Sequence, residues 1–138
     1  MIETYRGVVY PNQIDHMGHM NVQWHTAKFD EGTWHLFSAI GISSHYIREN
    51  NKGMAALEQT IKYKAEALAG DLLLIKSKIL EVKDKTIRFM HIMHNAETGI
   101  EVATSELVAA HLDRKERKAC RLPAEIIEKC VALMGEDT

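Results

Sequence analysis

The sequence predicts an α+β fold, one long helix covered by an antiparallel sheet. Three observations carry that reading. Apolar residues recur at helical spacing over Val22 to Ile40, and after Gly53 the period changes to two. The period-two runs are joined by tight turns, which set neighbouring strands antiparallel. The chain has 138 residues, 46% of them hydrophobic, and only two prolines. That suits one packed core, so residues 1–138 are read as a single domain.

Thr4 to Tyr10 (TYRGVVY) is rich in β-forming residues and predicts a first strand, ended by Pro11. A polar loop, Asn12 to Asn21, follows. In the long helix, Phe29, Thr33, Leu36, Phe37 and Ile40 form an apolar stripe. Trp24 and Trp34 widen it, which predicts burial on more than one side. Asn21 suits the N-cap and Gly41 the C-terminal stop. Ser43 to Asn50 predicts a short helix, ended by Asn51 and Gly53. Leu57, Ile61, Tyr63, Ala65 and Ala67 alternate with Glu58, Thr60, Lys62, Lys64 and Glu66, which predicts a strand with one buried face. Gly70-Asp71 turns the chain into Leu72 to Val82, and Lys83-Asp84-Lys85 turns it again into Thr86 to His94. Asn95 to Gly99 leads to Ile100 to Asp113. Ala124 to Met134 predicts a closing helix that opens near Pro123. No repeat or linker divides the chain.

Net charge near −2 and a pI near 6.4 give no electrostatic footprint for nucleic acid. The one basic run, Arg114 to Arg121 (RKERKACR), reads as a solvated turn. No apolar run reaches the ~18 residues of a membrane span, and MIETYRG lacks the apolar stretch of a signal peptide. Cys120 and Cys130 lie ten apart without a CxxC pair. They read as reduced thiols of a cytoplasmic protein. No GxSxG, GxGxxG or GxxxxGK[ST] occurs, and no cofactor is expected.

The unusual stretch is Asp15 to Asn21, DHMGHMN. It places a carboxylate, two imidazoles, a carboxamide and a glycine just before a helix. Three readings compete. As a metal site, Asp15, His16 and His19 offer ligands but lack the helical HExxH arrangement. His91 and His94, three apart on a strand, point to opposite faces and cannot share an ion. As a structural loop, Asp15 and Asn21 turn the chain and cap the helix. As a reaction centre, Asp15 stands beside helix N–H groups that lack intrahelical partners and carry partial positive charge. Such donors can stabilise the oxygen of an attacked carbonyl, and Gly18 admits a close backbone approach.

Loop and element order together resemble the hotdog-fold acyl-CoA thioesterases, in the branch similar to 4-hydroxybenzoyl-CoA thioesterase. The D-x-x-G-H-x-N loop is Asp15-His16-Met17-Gly18-His19-Met20-Asn21. Family-like strands follow at Glu58-Gln59-Thr60-Ile61-Lys62-Tyr63, before Gly70-Asp71, and at Ala103-Thr104-Ser105-Glu106, running on to Asp113. The resemblance implies a long helix wrapped by an antiparallel sheet. It also implies hydrolysis of a small acyl-CoA, with Asp15 as nucleophile or general base. Amides around Asn21 and Val22 would polarise the thioester carbonyl, His19 would shape the loop, and Glu58 would stand near the substrate. Many relatives carry a second Asn and then a Tyr after the motif; Val22 and Trp24 stand there instead. A finer resemblance, in His91 to Ala96, Ala103-Thr104 and His111 to Asp113, is to the thioesterase domain associated with carnitine breakdown, which hydrolyses betainyl-CoA. A trimethylammonium acyl group favours an aromatic cage, for which Trp24, Trp34, Tyr46 and Tyr63 are candidates. Two alternatives stay open: a hotdog enoyl-CoA hydratase using Asp15 and His19, and a non-catalytic module that binds acyl-CoA or mediates assembly.

The strands also bear on assembly. An open sheet leaves unpaired edge groups. Leu72 to Ile75 is continuously apolar, and Ile87 and Phe89 face away from Met90 and Ile92, so both sheet faces need cover. A homodimer or homotetramer is expected, with sites that draw on both chains.

Overall fold

The computed structural model describes residues 1–136; the last two positions of the expected 1–138 domain lie outside the described residues. The elements are β1 (Ile2–Val8), α1 (Val22–Ala39), α2 (Ser44–Asn50), β2 (Lys52–Tyr63), β3 (Leu72–Val82), β4 (Thr86–Asn95), β5 (Glu101–Asp113), β6 (Lys118–Ala119) and α3 (Ala124–Gly135). A 3-10 turn at Pro11–Gln13 precedes α1. The sheet is antiparallel throughout, in the order β1-β3-β4-β5-β2, with the short β6 on β5. The α+β expectation is met: this is a hotdog-like fold, with α1 packed against the curled sheet.

α1 starts where the Asn21 side chain caps the Gln23 amide and ends before Gly41, which takes a left-handed φ of 94°. Its buried positions are His25, Lys28, Phe29, Gly32, Thr33, Leu36 and Phe37, one stripe at steps of three and four. Gly32 sits at the closest approach: a Cβ there would lie 3.1 Å from the Thr4 hydroxyl of β1. Two core clusters lie under α1. One gathers Leu36, Phe37, Ile40, Phe89, Leu107 and Ile126, and the other gathers Met20, Phe29, Leu73, Ile75, Met93 and Ala103. Trp34, expected to widen the buried stripe, is instead 46% exposed.

The strand after α2 differs most from expectation. It begins at Lys52 and stops at Tyr63, so Ala65 and Ala67 lie beyond it. Its expected buried face is open: Leu57 and Tyr63 are 59% and 50% exposed. β2 is an edge strand with a bulge between Ala56 and Glu58. The chain's own helix covers only part of its inner side. Along β4, by contrast, Ile87, Phe89, His91 and Met93 are buried and alternate with half-buried Arg88, Met90, Ile92 and His94. His91 and His94 thus face opposite ways.

Candidate functional site

The DHMGHMN stretch is a closed loop between β1 and α1. The Asp15 amide donates to the His19 carbonyl (3.1 Å), and the Gly18 amide donates to the Asp15 carbonyl (3.0 Å). Gly18 holds φ 85°, a conformation glycine adopts without strain. The Met20 amide reaches the Ala67 carbonyl (2.8 Å) and the Asn21 amide the Gln13 carbonyl (2.9 Å). These bonds tie the loop to the segment after β2 and to the turn before it.

The half-buried Asp15 carboxylate is held at both oxygens. Oδ1 accepts from the Met17 amide (2.9 Å) and Oδ2 from the Asn21 carboxamide (3.1 Å). The Met17 bond first, then the Asn21 bond, hold its pKa below the usual carboxylate value, with His19 and His16 adding to the effect. Asp15 is therefore ionised at neutral pH. Each carboxylate oxygen keeps a further acceptor site.

Asn21 joins this acid to the helix. Its Nδ2 holds Asp15, and its Oδ1 accepts from the Gln23 amide (3.0 Å). The Trp24 amide goes to the Asn21 carbonyl (3.0 Å). Among the described residues, the Val22 amide alone in this first turn has no acceptor. It is a single preorganised donor beside the carboxylate.

A cavity of about 270 Å³ opens at this helix start. His19, Met20, Val22 and His25 form one wall, and the stretch from Tyr63 to Ala67 forms the other. The structure thus brings His19, Asn21 and Val22 together with Asp15, although Asp15 stands on the loop and does not line this cavity. Glu58 is not brought here. It lies exposed on the free edge of the sheet.

His25 is the residue that sequence reasoning passed over. It is 4% exposed, its Nδ1 bonds the Asn21 carbonyl (3.3 Å), and its ring meets Tyr63 edge-on at 5.0 Å. Burial lowers its pKa, with the Asn21 carbonyl opposing, so the ring is neutral at pH 7. With Nδ1 donating, Nε2 is an acceptor. Its spacing from Asn21, one helical turn, was the available signal.

A second, larger cavity of about 410 Å³ runs further along α1 against β2 and β5. The four aromatic residues considered for a cage do not converge. Trp24 packs on the cluster of Phe29 and Met20, and Tyr46 packs on the other, its hydroxyl 2.8 Å from His111. Trp34 lines the larger cavity and Tyr63 the smaller. Cys120 is half-buried with its Sγ 3.3 Å from His111, and Cys130 is buried, which raises its pKa to about 11.

A model of the thioesterase-like superfamily matches residues 9–130. A protein of Rhizobium meliloti (strain 1021), L-carnitine dehydrogenase/betainyl-CoA thioesterase, is 29% identical over 116 residues, 84% of this chain and 23% of that protein. A protein of the same name from Rhizobium sp is 26% identical over 120 residues, 87% of this chain and 24% of that one. The chain thus spans about a quarter of the length of these curated relatives. Among solved structures, a Staphylococcus aureus protein in complex with CoA superposes with a TM-score of 0.89 at 18% identity, covering 98% of this chain and 87% of that one. A 1,4-dihydroxy-2-naphthoyl-CoA thioesterase from Synechocystis superposes at 0.81 with 20% identity, covering 94% and 95%.

Proposed function

The chain belongs to the thioesterase-like superfamily, and on that premise we propose that it hydrolyses a small acyl-CoA to free acid and CoA. One observation carries the reading: Asn21 clamps an ionised Asp15 while starting a helix whose Val22 amide is open. The thioester carbonyl oxygen takes the Val22 N–H. In one route Asp15 accepts a proton from water as the water oxygen bonds the carbonyl carbon. The tetrahedral intermediate then collapses, breaking the C–S bond, and the proton leaves with CoA thiol. In the other route Asp15 bonds the carbon directly and expels CoA thiolate, and water then cleaves the mixed anhydride. His19 and Asn21 shape the loop, and His25 lines the cavity beside the carbonyl.

Asp15→Asn tests this. Thiol release should fall by about 10³-fold or more with folding retained. A loss of only a few-fold would assign Asp15 to capping and turning alone. A single turnover in ¹⁸O-water separates the routes, since label enters Asp15 only through the anhydride. Crotonyl-CoA hydrated without thiol release would favour the hydratase reading instead.

Betainyl-CoA is the substrate that the curated relatives' names support. The proposed working form is a homodimer or homotetramer. β1 and β2 are unpaired edges, Leu57 and Tyr63 are exposed on β2, and Leu74, Met90 and Ile92 are half-buried on the sheet's outer face. In that form Glu58, on the free edge, meets the second copy's site. A cytoplasmic location is proposed with it, since both cysteines are free. No helix among the described residues is long and apolar enough to cross a membrane.

A further inference from the structure

The larger cavity holds one charge. Its lining is otherwise apolar or neutral, with the rings of Phe29, Trp34, Phe37 and Phe89 around it, and the single charged lining residue is Asp30. No ion pair or hydrogen bond reaches the Asp30 carboxylate among the described residues. Trp34 stands one turn on from Asp30, so carboxylate and indole share a helix face. Three of the rings are buried, whereas Trp34 is 46% exposed and Asp30 is exposed at the cavity. An exposed, lone carboxylate one helical turn from an indole, lining an apolar cavity without a basic residue, is complementary to a cation that carries apolar surface. A quaternary ammonium is such a cation, because its methyl groups fill apolar space and its charge is attracted by both carboxylate and ring.

We propose that Asp30 and Trp34 form the subsite that selects a cationic acyl group of the quaternary ammonium class; this rests on the thioesterase reading above. The geometry also says whose acyl group it receives. Asp30 follows Val22 by eight residues, about 12 Å along the helix. In a betainyl group the nitrogen lies only about 2.5 Å from the carbonyl carbon. An acyl group held at the Val22 amide therefore does not reach Asp30 of the same chain. The cavity is walled in part by β2, one of the two free edges of the sheet, and Asp30 serves a thioester bound at the helix start of a second copy paired there.

The test compares betainyl-CoA with 3,3-dimethylbutyryl-CoA, which has the same shape with carbon in place of the charged nitrogen. The wild type should favour the cation in kcat/KM. Asp30→Asn should shrink that preference about tenfold to a hundredfold, mainly through KM, and Trp34→Leu should shrink it several-fold. An unchanged preference in Asp30→Asn overturns the subsite. So does an equal loss on both substrates, which would place Asp30 at the thioester itself, or a change of assembly in sedimentation, which would make it a subunit contact. Wild type that cleaves both alike overturns the subsite and leaves thioester hydrolysis standing. If no thioester is cleaved, the function proposed above fails. The subsite is then decided by calorimetry with glycine betaine: binding lost in Asp30→Asn supports it, and no binding to wild type overturns it.

Discussion

Asn21 serves the carboxylate and the helix with opposite ends of one side chain, so its removal has two separable effects. Asn21→Ala leaves the Gln23 amide uncapped, which costs about 1 kcal/mol and is read as a lower melting temperature. It also takes one hydrogen bond from Asp15. That bond is one reason the Asp15 pKa lies below the usual value, so losing it raises that pKa. The acidic limb of kcat/KM should then move to higher pH in the variant. An unmoved limb with the expected melting change would leave Asn21 a cap alone. This part of the site was legible in the sequence because it is local: carboxylate, glycine, cap and helix start fall within eight residues. His25 was not, because the cavity that gives it meaning is closed by Tyr63 to Ala67, some forty residues away.

Between the elements, one buried polar chain fixes how α1 lies on the sheet. The Thr4 hydroxyl of β1 meets Ser77 of β3 (2.7 Å), Ser77 meets His91 Nδ1 of β4 (2.5 Å), and His91 Nε2 meets Thr33 of α1 (2.8 Å). Phe29 stacks on the same imidazole at 5.8 Å. Burial pushes the His91 pKa down to about 4 from 6.5. Folded His91 is thus neutral over a range where the unfolded chain takes up a proton. Its contribution is whole above pH 6.5 and is lost as the pH falls toward 4, on the order of 3 kcal/mol across that window. Chemical unfolding between pH 6.5 and 4.5 should show stability falling, and His91→Gln should reduce the slope by about one proton even though it lowers stability at neutral pH. An equal slope in the variant would assign the acid sensitivity to other groups, His25 and His111 among them. The sequence showed β4 clearly because both its neighbours lie in the chain and its period is unbroken. It showed β2 poorly for the opposite reason. It is an edge strand whose Leu57 and Tyr63 the chain's own fold leaves exposed, and the bulge at Ala56 and Glu58 breaks the alternation. The two residues of β6 are too few for any period to appear.

At the scale of the whole molecule, the open edge, the exposed Leu57 and Tyr63, and the distance from Val22 to Asp30 converge on one arrangement. In the proposed assembly two copies join along β2, and each thioester lies between Asp15 of one chain and Asp30 of the other. A mixture of two defective proteins tests this. Asp15→Asn and Asp30→Asn homodimers each carry a defect in every site. After unfolding and refolding together, half the dimers should be mixed. With the proposed sharing, a two-fold dimer of one copy of each concentrates both defects in one site and leaves the other whole. Betainyl-CoA hydrolysis, read at substrate well below KM where both defects show, should then recover to about a quarter of the wild-type rate, since half the dimers regain one site in two. If each chain built its site alone, every site in the mixed dimer would keep one defect, and refolding together would recover nothing. A sedimentation run on the same samples guards the inference: a monomer that retains full activity would remove the shared site, and with it the reason for the open face of β2.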